Sequence, residues 1–483
     1  IKVTIAASLR KRRDWVMNKA LDAVITRWIQ DHREEFISDL MGLVAIPSVK
    51  EEPVPDCPYG EPVGRALSYM LSLCEKAGLT TLDIDGRCAE ATREGGETIV
   101  GVLTHLDIVP AGDGWTRNPW GELSGERMYG RGVIDNKGPA VASLYALRAL
   151  IAAGAPVANS LRLIFGGDEE FGMDDIRYYL TKRPAPDYAF SPDARFPVIH
   201  AEKGIASGEF YADITAPTAI TSLSGGTRPN VVPAAAQASL RELAIGHLSA
   251  AVEQRTHIML VVENGEILVR SEGLSAHAST PHKGRNAAVQ LIEYLADTLP
   301  EGDGALPLMR ALADGSRMAT DGSGLSIACR DAVSGALTFN LGKIALEGKR
   351  LTLTYDIRHP VTIDFDETLK KMERTLGALG FTMAPASPRA GLYLPASHPL
   401  VATLTRVYTQ CTGRRSRPVA IGGGTYARTL PRAVAFGPIF PGQPENAHMA
   451  DEYARVGDLL AAARIFAHAM LELGNLQPPS SNG

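Results

Sequence analysis

The chain has 483 residues, 45% of them hydrophobic and 21% charged, with a net charge of −5. That length exceeds one ordinary core, so two or more domains are expected. The acidic balance argues against electrostatic nucleic-acid binding, and no apolar run reaches the roughly 20 residues of a membrane span.

The sequence begins at Ile1 and passes through the basic Arg10-Lys-Arg-Arg13. Met17 is read as the natural start, and residues 1–16 and 477–483 as disordered or non-native tails. From Asn18 to Val44 apolar residues recur at helical spacing, which predicts two amphipathic stretches or one bent helix, stopped by Pro47. A further helix is expected over Glu61–Lys76, ended by Gly78, and a strand over Thr81–Asp85. Ile99-Val-Gly-Val-Leu103 reads as a buried strand running into His105-Leu-Asp107. His105 and Asp107 are two apart, so their side chains point the same way.

Pro139 opens a helix rich in Ala and Leu that reaches about Ala153. The strand Leu161–Phe165 ends in Gly166-Gly-Asp-Glu169-Glu170, a short helix starts near Met173, and the strand Tyr188–Phe190 ends at Ser191-Pro-Asp193. Strands alternating with helices indicate an α/β domain with a mostly parallel sheet flanked by helices. From Gly204 to Arg389 short alternating runs and two helical stretches, Asn286–Leu299 and Asp366–Leu379, indicate an inserted α+β domain. The α/β texture then returns: a helix over Pro399–Thr409, a Gly422-Gly-Gly424 loop, a strand over Val434–Phe436 and a helix over Val456–Leu473. The expected organisation is a discontinuous catalytic domain, 17–205 and 390–475, interrupted by a lid at 206–389.

Ligands of open sheets gather beyond the carboxyl ends of the strands. His105, Asp107, Glu169, Glu170 and Asp193 all fall there. With Asp135 and His448 they offer two imidazoles and several carboxylates, a set suited to Zn²⁺, with Mn²⁺ or Co²⁺ as substitutes. Five ligands, His105, Asp135, Glu170, Asp193 and His448, suit two ions sharing a bridging carboxylate. Asp107 is placed to accept the other N–H of His105. Glu169 and Glu170 are adjacent, and on extended backbone they would point apart, one free to ligate and the other to act as a base. The five scattered cysteines (Cys57, Cys74, Cys88, Cys329 and Cys411) form no CxxC pair, which fits a reducing, cytoplasmic setting and offers no thiolate metal site.

The motifs Thr104-His105-Leu-Asp107, Gly130-Arg-Gly132 through Asp135-Asn-Lys-Gly-Pro139, Gly167-Asp-Glu169-Glu170, Ser191-Pro-Asp193 and Glu445-Asn-Ala-His448 resemble, in order, those of the dinuclear zinc aminoacylase/carboxypeptidase superfamily. Within it the chain is most similar to the peptidase V branch of Xaa-His, carnosinase-like dipeptidases. The resemblance implies that Asp135 bridges two Zn²⁺ ions and is followed by a cis peptide. Glu170 and His448 would complete one site, His105 and Asp193 the other. Glu169 would be the general base acting on a metal-bridging water, with Asp107 behind His105. It further implies that His277, in Ser275-Ala-His277, stabilises the oxyanion. Asn230, Arg358 and the Gly424-Thr425 loop would hold the substrate's C-terminal end. The expected activity is that of a monomeric metallopeptidase cleaving unmodified dipeptides. The alternatives are an N-acyl-amino-acid hydrolase and a silent binding paralogue.

Overall fold

The computed structural model describes residues 17–241, 256–263, 266–386 and 388–478. Of the expected tails, residues 1–16 and 479–483 lie outside the described residues. The chain divides into two compact units. One takes the chain up to His200, then Leu394–Val419 and everything from Thr425; the other takes Ala201–Tyr393 and the short piece Ala420–Gly424. The block expected at 390–475 had not separated that piece.

The first unit opens with helices α1 (Lys19–Asp31) and α2 (Arg33–Val44). Asn18 caps α1 by accepting from the Ala20 and Leu21 amides, and the break between the helices falls at His32, which stacks on Trp28. Helix α3 (Glu61–Lys76) buries Val63, Leu67, Met70 and Cys74, one stripe at helical spacing. Strands β1 (Thr80–Ile84), β2 (Cys88–Arg93) and β3 (Gly96–His105) follow, then α4 (Lys137–Ala152), β4 (Asn159–Gly166), α5 (Asp174–Lys182), β5 (Tyr188–Ser191) and β6 (Val198–Glu202).

The second unit continues with β7 (Gly204–Asp213), β8 (Ile220–Gly225), β9 (Ala235–Arg241), β10 (Ile258–Glu263) and β11 (Glu266–Glu272). Helices α6 (Ala287–Thr298) and α7 (Leu306–Ala313), strands β12 (Thr338–Glu347) and β13 (Arg350–His359), and helix α8 (Phe365–Ala378) complete its main elements. The chain then re-enters the first unit with α9 (Pro399–Thr412), β14 (Ala433–Phe436) and α10 (Val456–Leu473).

The sheet of the first unit runs β1-β2-β4-β3-β5-β14-β6. Its centre, β4-β3-β5-β14, is parallel; β2 and β6 join it antiparallel. The architecture is therefore mixed α/β, with antiparallel borders around the expected parallel core. Helices α4 and α10 pack on one another and are buried over most of their length. A helix this apolar all round belongs inside a core rather than on a surface. The second unit is an antiparallel sheet ordered β10-β11-β9-β8-β12-β13-β7. Phe210, Leu291, Phe339, Tyr355 and Met372 lie in its core. Among the described residues no helix is long and apolar enough to cross a membrane.

Candidate metal centre

Strand register brings the site together. β3 pairs with β4 so that His105 stands opposite Gly166, and β5 lies along the other edge of β3. Three neighbouring carboxyl ends therefore release their loops side by side. Asp107 follows β3, Glu169 and Glu170 follow β4, and Asp193 follows β5. Asp135 precedes α4, whose N-cap is Asn136, and the Asp135–Asn136 peptide is cis.

His105 Nε2 lies 3.0 Å from Asp135 Oδ1 and 3.5 Å from Asp193 Oδ1. His448 Nε2 lies 3.1 Å from Asp135 Oδ2 and 2.8 Å from Glu170 Oε1. The two oxygens of Asp135 thus face two different imidazoles, each backed by a second carboxylate. Donor atoms of His105, Asp135 and Glu170 all lie within 4.8 Å of one another. Ligands of a tetrahedral zinc ion, at about 2.0–2.1 Å from the metal, stand about 3.3 Å apart, so these spacings fit such a set. The tautomer fits as well. His105 Nδ1 bonds the Asp107 carbonyl at 3.0 Å. A carbonyl only accepts, so the proton sits on Nδ1 and Nε2 is the ligating nitrogen of the neutral ring.

The charges point the same way. Burial alone would depress His105, but bonds to Asp107, Asp135 and Asp193 hold it well above its ordinary value. Burial would raise Asp135, yet the two imidazoles hold it well below the usual carboxylate range. Bonds to Asp135 and Glu170 push His448 up to about 10. Burial, followed by the Asp193 charge, pushes Glu169 well above its ordinary value. Burial likewise raises Glu170 and Asp193. Four carboxylates crowded against two imidazoles leave surplus negative charge, which bound cations neutralise.

Two expected details change. The Asp107 carboxylate, expected to take the His105 N–H, lies 3.4 Å from Nδ1. It accepts instead from the Glu169 amide at 3.1 Å and the Glu170 amide at 3.0 Å. Glu169 and Glu170 occupy a turn rather than extended backbone. Their orientation is therefore set by Asp107 gripping two successive amides, not by strand alternation.

Several supporting residues were not legible beforehand. Asn136, expected to matter little, donates to the Pro192 carbonyl at 2.8 Å and to Asp193 Oδ1 at 3.2 Å, and so orients a candidate ligand. Asp175 accepts from the Gly167 and Asp168 amides and from the Tyr426 hydroxyl, while the Tyr426 amide donates to Asp193 Oδ2. Arg131 and Glu452 form a buried pair at 2.6 Å, and Glu452 also accepts from the Ile134 amide. That pair ties the loop of Asp135 to the loop of His448. Arg131, Asn136 and Tyr426 lie inside the quoted motifs or their neighbouring glycine loop. Glu452 carried no sequence signal.

The other expected residues lie mostly in the second unit. His277 is exposed, and the Ala278 amide beside it donates to the Asn230 carbonyl at 3.0 Å. Arg358 is buried, with Nε and Nη2 on Asp356 at 2.6 and 3.2 Å and Nη1 on the Gly422 carbonyl at 3.1 Å. Those contacts use three of the five N–H donors of a guanidinium. Gly424 is exposed at the end of the same unit. Thr425 belongs to the first unit, is buried, and accepts from the Ala427 amide.

The chain was compared with known proteins. The model of "Peptidase family M20/M25/M40" matches residues 101–472. Two curated relatives bear the name "Putative dipeptidase". YtjP of Bacillus subtilis (strain 168) is 36% identical, with 91% of this chain and 97% of that protein aligned. SH1171 of Staphylococcus haemolyticus (strain JCSC1435) is 29% identical, covering 92% and 98%. Among solved structures, human carnosine dipeptidase 1 matches with a TM-score of 0.57 at 15% identity, covering 94% of this chain and 99% of that one. Aminoacylhistidine dipeptidase from Vibrio alginolyticus matches at 0.55 and 16%, covering 92% and 96%. At such identities the two structures speak for the fold. The family match and the near-full-length relative at 36% establish that the chain belongs to peptidase family M20/M25/M40, as a metallopeptidase.

Proposed function

We propose that the protein is a dipeptidase cleaving unmodified dipeptides, of Xaa-His type or broader, with two Zn²⁺ ions per chain, replaceable by Mn²⁺ or Co²⁺. The observation that carries this reading is Asp135, whose two oxygens address His105 and His448 separately. One carboxylate between two half-sites is the donor arrangement of a two-ion centre. Asp135 would bridge, His105 and Asp193 would hold one ion, and His448 and Glu170 the other. When bound, such a pair supplies Lewis acidity toward the peptide carbonyl and toward water.

The chain's own residues do the rest. The Glu169 carboxylate takes a proton from the attacking water and returns it to the leaving nitrogen. Asp107 holds the Glu169–Glu170 turn by its two amides, keeping base and ligand apart. His277 donates to the developing oxyanion. Asn230, Arg358, Gly424 and Thr425 secure the C-terminal end of the dipeptide; an Arg fork is the natural partner of a carboxylate. These later assignments are supported by the motifs around each residue. The protein is read as a cytoplasmic monomer, in keeping with its free cysteines.

The test is hydrolysis of β-Ala-His, Ala-His, Cys-Gly and an N-acetyl amino acid by the metal-loaded and chelator-treated protein. Metal-dependent cleavage of the dipeptides alone is expected. Preference for the N-acetyl compound would make it an acyl-amino-acid hydrolase. No cleavage after adding Zn²⁺ or Mn²⁺ would overturn the assignment.

A further inference from the structure

The second unit carries a small assembly that the proposed reaction does not explain. The Ser279 amide donates to His277 Nδ1 at 3.2 Å, and the Ser279 hydroxyl lies 2.7 Å from the same nitrogen. An amide N–H can only donate, so Nδ1 bears the lone pair and the proton of the neutral ring sits on Nε2. The turn is held from outside as well. The Thr280 amide returns to the His277 carbonyl at 2.8 Å, and the Thr338 hydroxyl donates to the Ala278 carbonyl at 2.9 Å.

Ser279 is itself seated against glycine. A Cβ added at Gly422 would stand 2.6 Å from Ser279 Cβ, so only glycine allows this approach. The Gly422 carbonyl accepts from Arg358, whose guanidinium Asp356 fixes from the other side. One chain of contacts, His277–Ser279–Gly422–Arg358, therefore joins two side chains otherwise far apart in sequence. We propose that Ser279, seated on Gly422, is a positioning residue that fixes His277 as an Nε2–H donor and sets its place relative to Arg358. Burial and the Arg358 charge also keep the ring from protonating early. That His277 meets the substrate rests on the dipeptidase reading; its tautomer does not.

The experiment is ¹⁵N NMR of the full-length chain with labelled histidine, the His277 signals assigned by loss in His277→Gln. At pH 7 the wild type should show a protonated Nε2 and a bare Nδ1. Ser279→Ala should move part of the population to the other tautomer and lower kcat about 3- to 10-fold with little change in KM, the effect of one hydrogen bond. Gly422→Ala should shift the His277 signals and raise KM through Arg358. A wild-type ring protonated on Nδ1 overturns the proposal, as does Ser279→Ala with both tautomer and kcat unchanged. A chain that cleaves no peptide yet shows the Nε2–H ring overturns the functional reading and leaves this assignment standing.

Discussion

Glu169→Gln separates base from ligand at this centre. The turn carrying Glu169 is held by amides on Asp107 at 3.1 and 3.0 Å, and its neighbour Glu170 meets His448 at 2.8 Å. Neither contact uses the Glu169 carboxylate, so the isosteric amide should leave the proposed ligands in place. Losing a general base costs about 10²- to 10⁴-fold in rate, or about 3–5 kcal/mol of transition-state stabilisation. Stability should move the opposite way. Burial and Asp193 raise the Glu169 carboxyl above its unfolded value, so its ionisation opposes folding at any pH above the ordinary Glu range. Two like charges about 5 Å apart at an effective dielectric of about 20 repel by about 3 kcal/mol, which sets the ceiling for what the metal-free variant recovers. A gain of a few degrees in the metal-free Tm is expected. Steady-state kinetics, metal analysis and calorimetry of the chelated protein read the three effects. Turnover within tenfold of wild type at full metal content would remove Glu169 as the base, and loss of metal would make it a ligand instead.

Arg131→Met leaves Glu452 buried without its partner and should destabilise the chain by about 3–5 kcal/mol in urea unfolding. Burial already pushes Glu452 up to about 7, so protonation relieves the defect and the loss should be smaller at pH 6 than at pH 8.5; a pH-independent loss would contradict this. Tyr426→Phe removes the hydroxyl on Asp175 and should cost about 1–3 kcal/mol, since a buried carboxylate loses a donor; an unchanged unfolding midpoint would show the contact to be idle. Burial would raise Asp331, but the Ser334 and Thr362 amides and hydroxyls hold it down at about 2. Its contribution is complete above the unfolded Asp value near 4 and fades as pH falls toward 2. The stability gap between wild type and Asp331→Asn, about 1–2 kcal/mol at pH 6 after allowance for solvent screening, should therefore narrow by pH 3; a constant gap would refute the assignment.

Much of the fold was legible because its signals are local. Apolar periodicity over 18–44 and 61–76, and the closing helix 456–473, needed no tertiary knowledge, and the helices formed at those places. Strands β2 and β7 and helix α7 were not foreseen. Cys88–Arg93 is buried on both faces while containing Glu90, Thr92 and Arg93, so no alternation marks it. At the centre, His105, Asp107, Glu169, Glu170 and Asp193 were found because they follow strands whose ends a parallel sheet places together. The Asp107 contact went differently because strand alternation says which side a carboxylate faces, not that two amides from another loop will reach it first. Glu452 was invisible for a similar reason: its importance lies in a partner 321 residues away.

The central claim is that Asp135 is shared by two metal positions. Metal analysis of the reconstituted protein tests it directly, comparing wild type, Asp135→Asn and Asp193→Asn. About two ions per chain are expected in the wild type, both lost together in Asp135→Asn, and only one lost in Asp193→Asn. A wild type saturating at a single ion, or an Asp135→Asn protein that keeps one position filled, would contradict it.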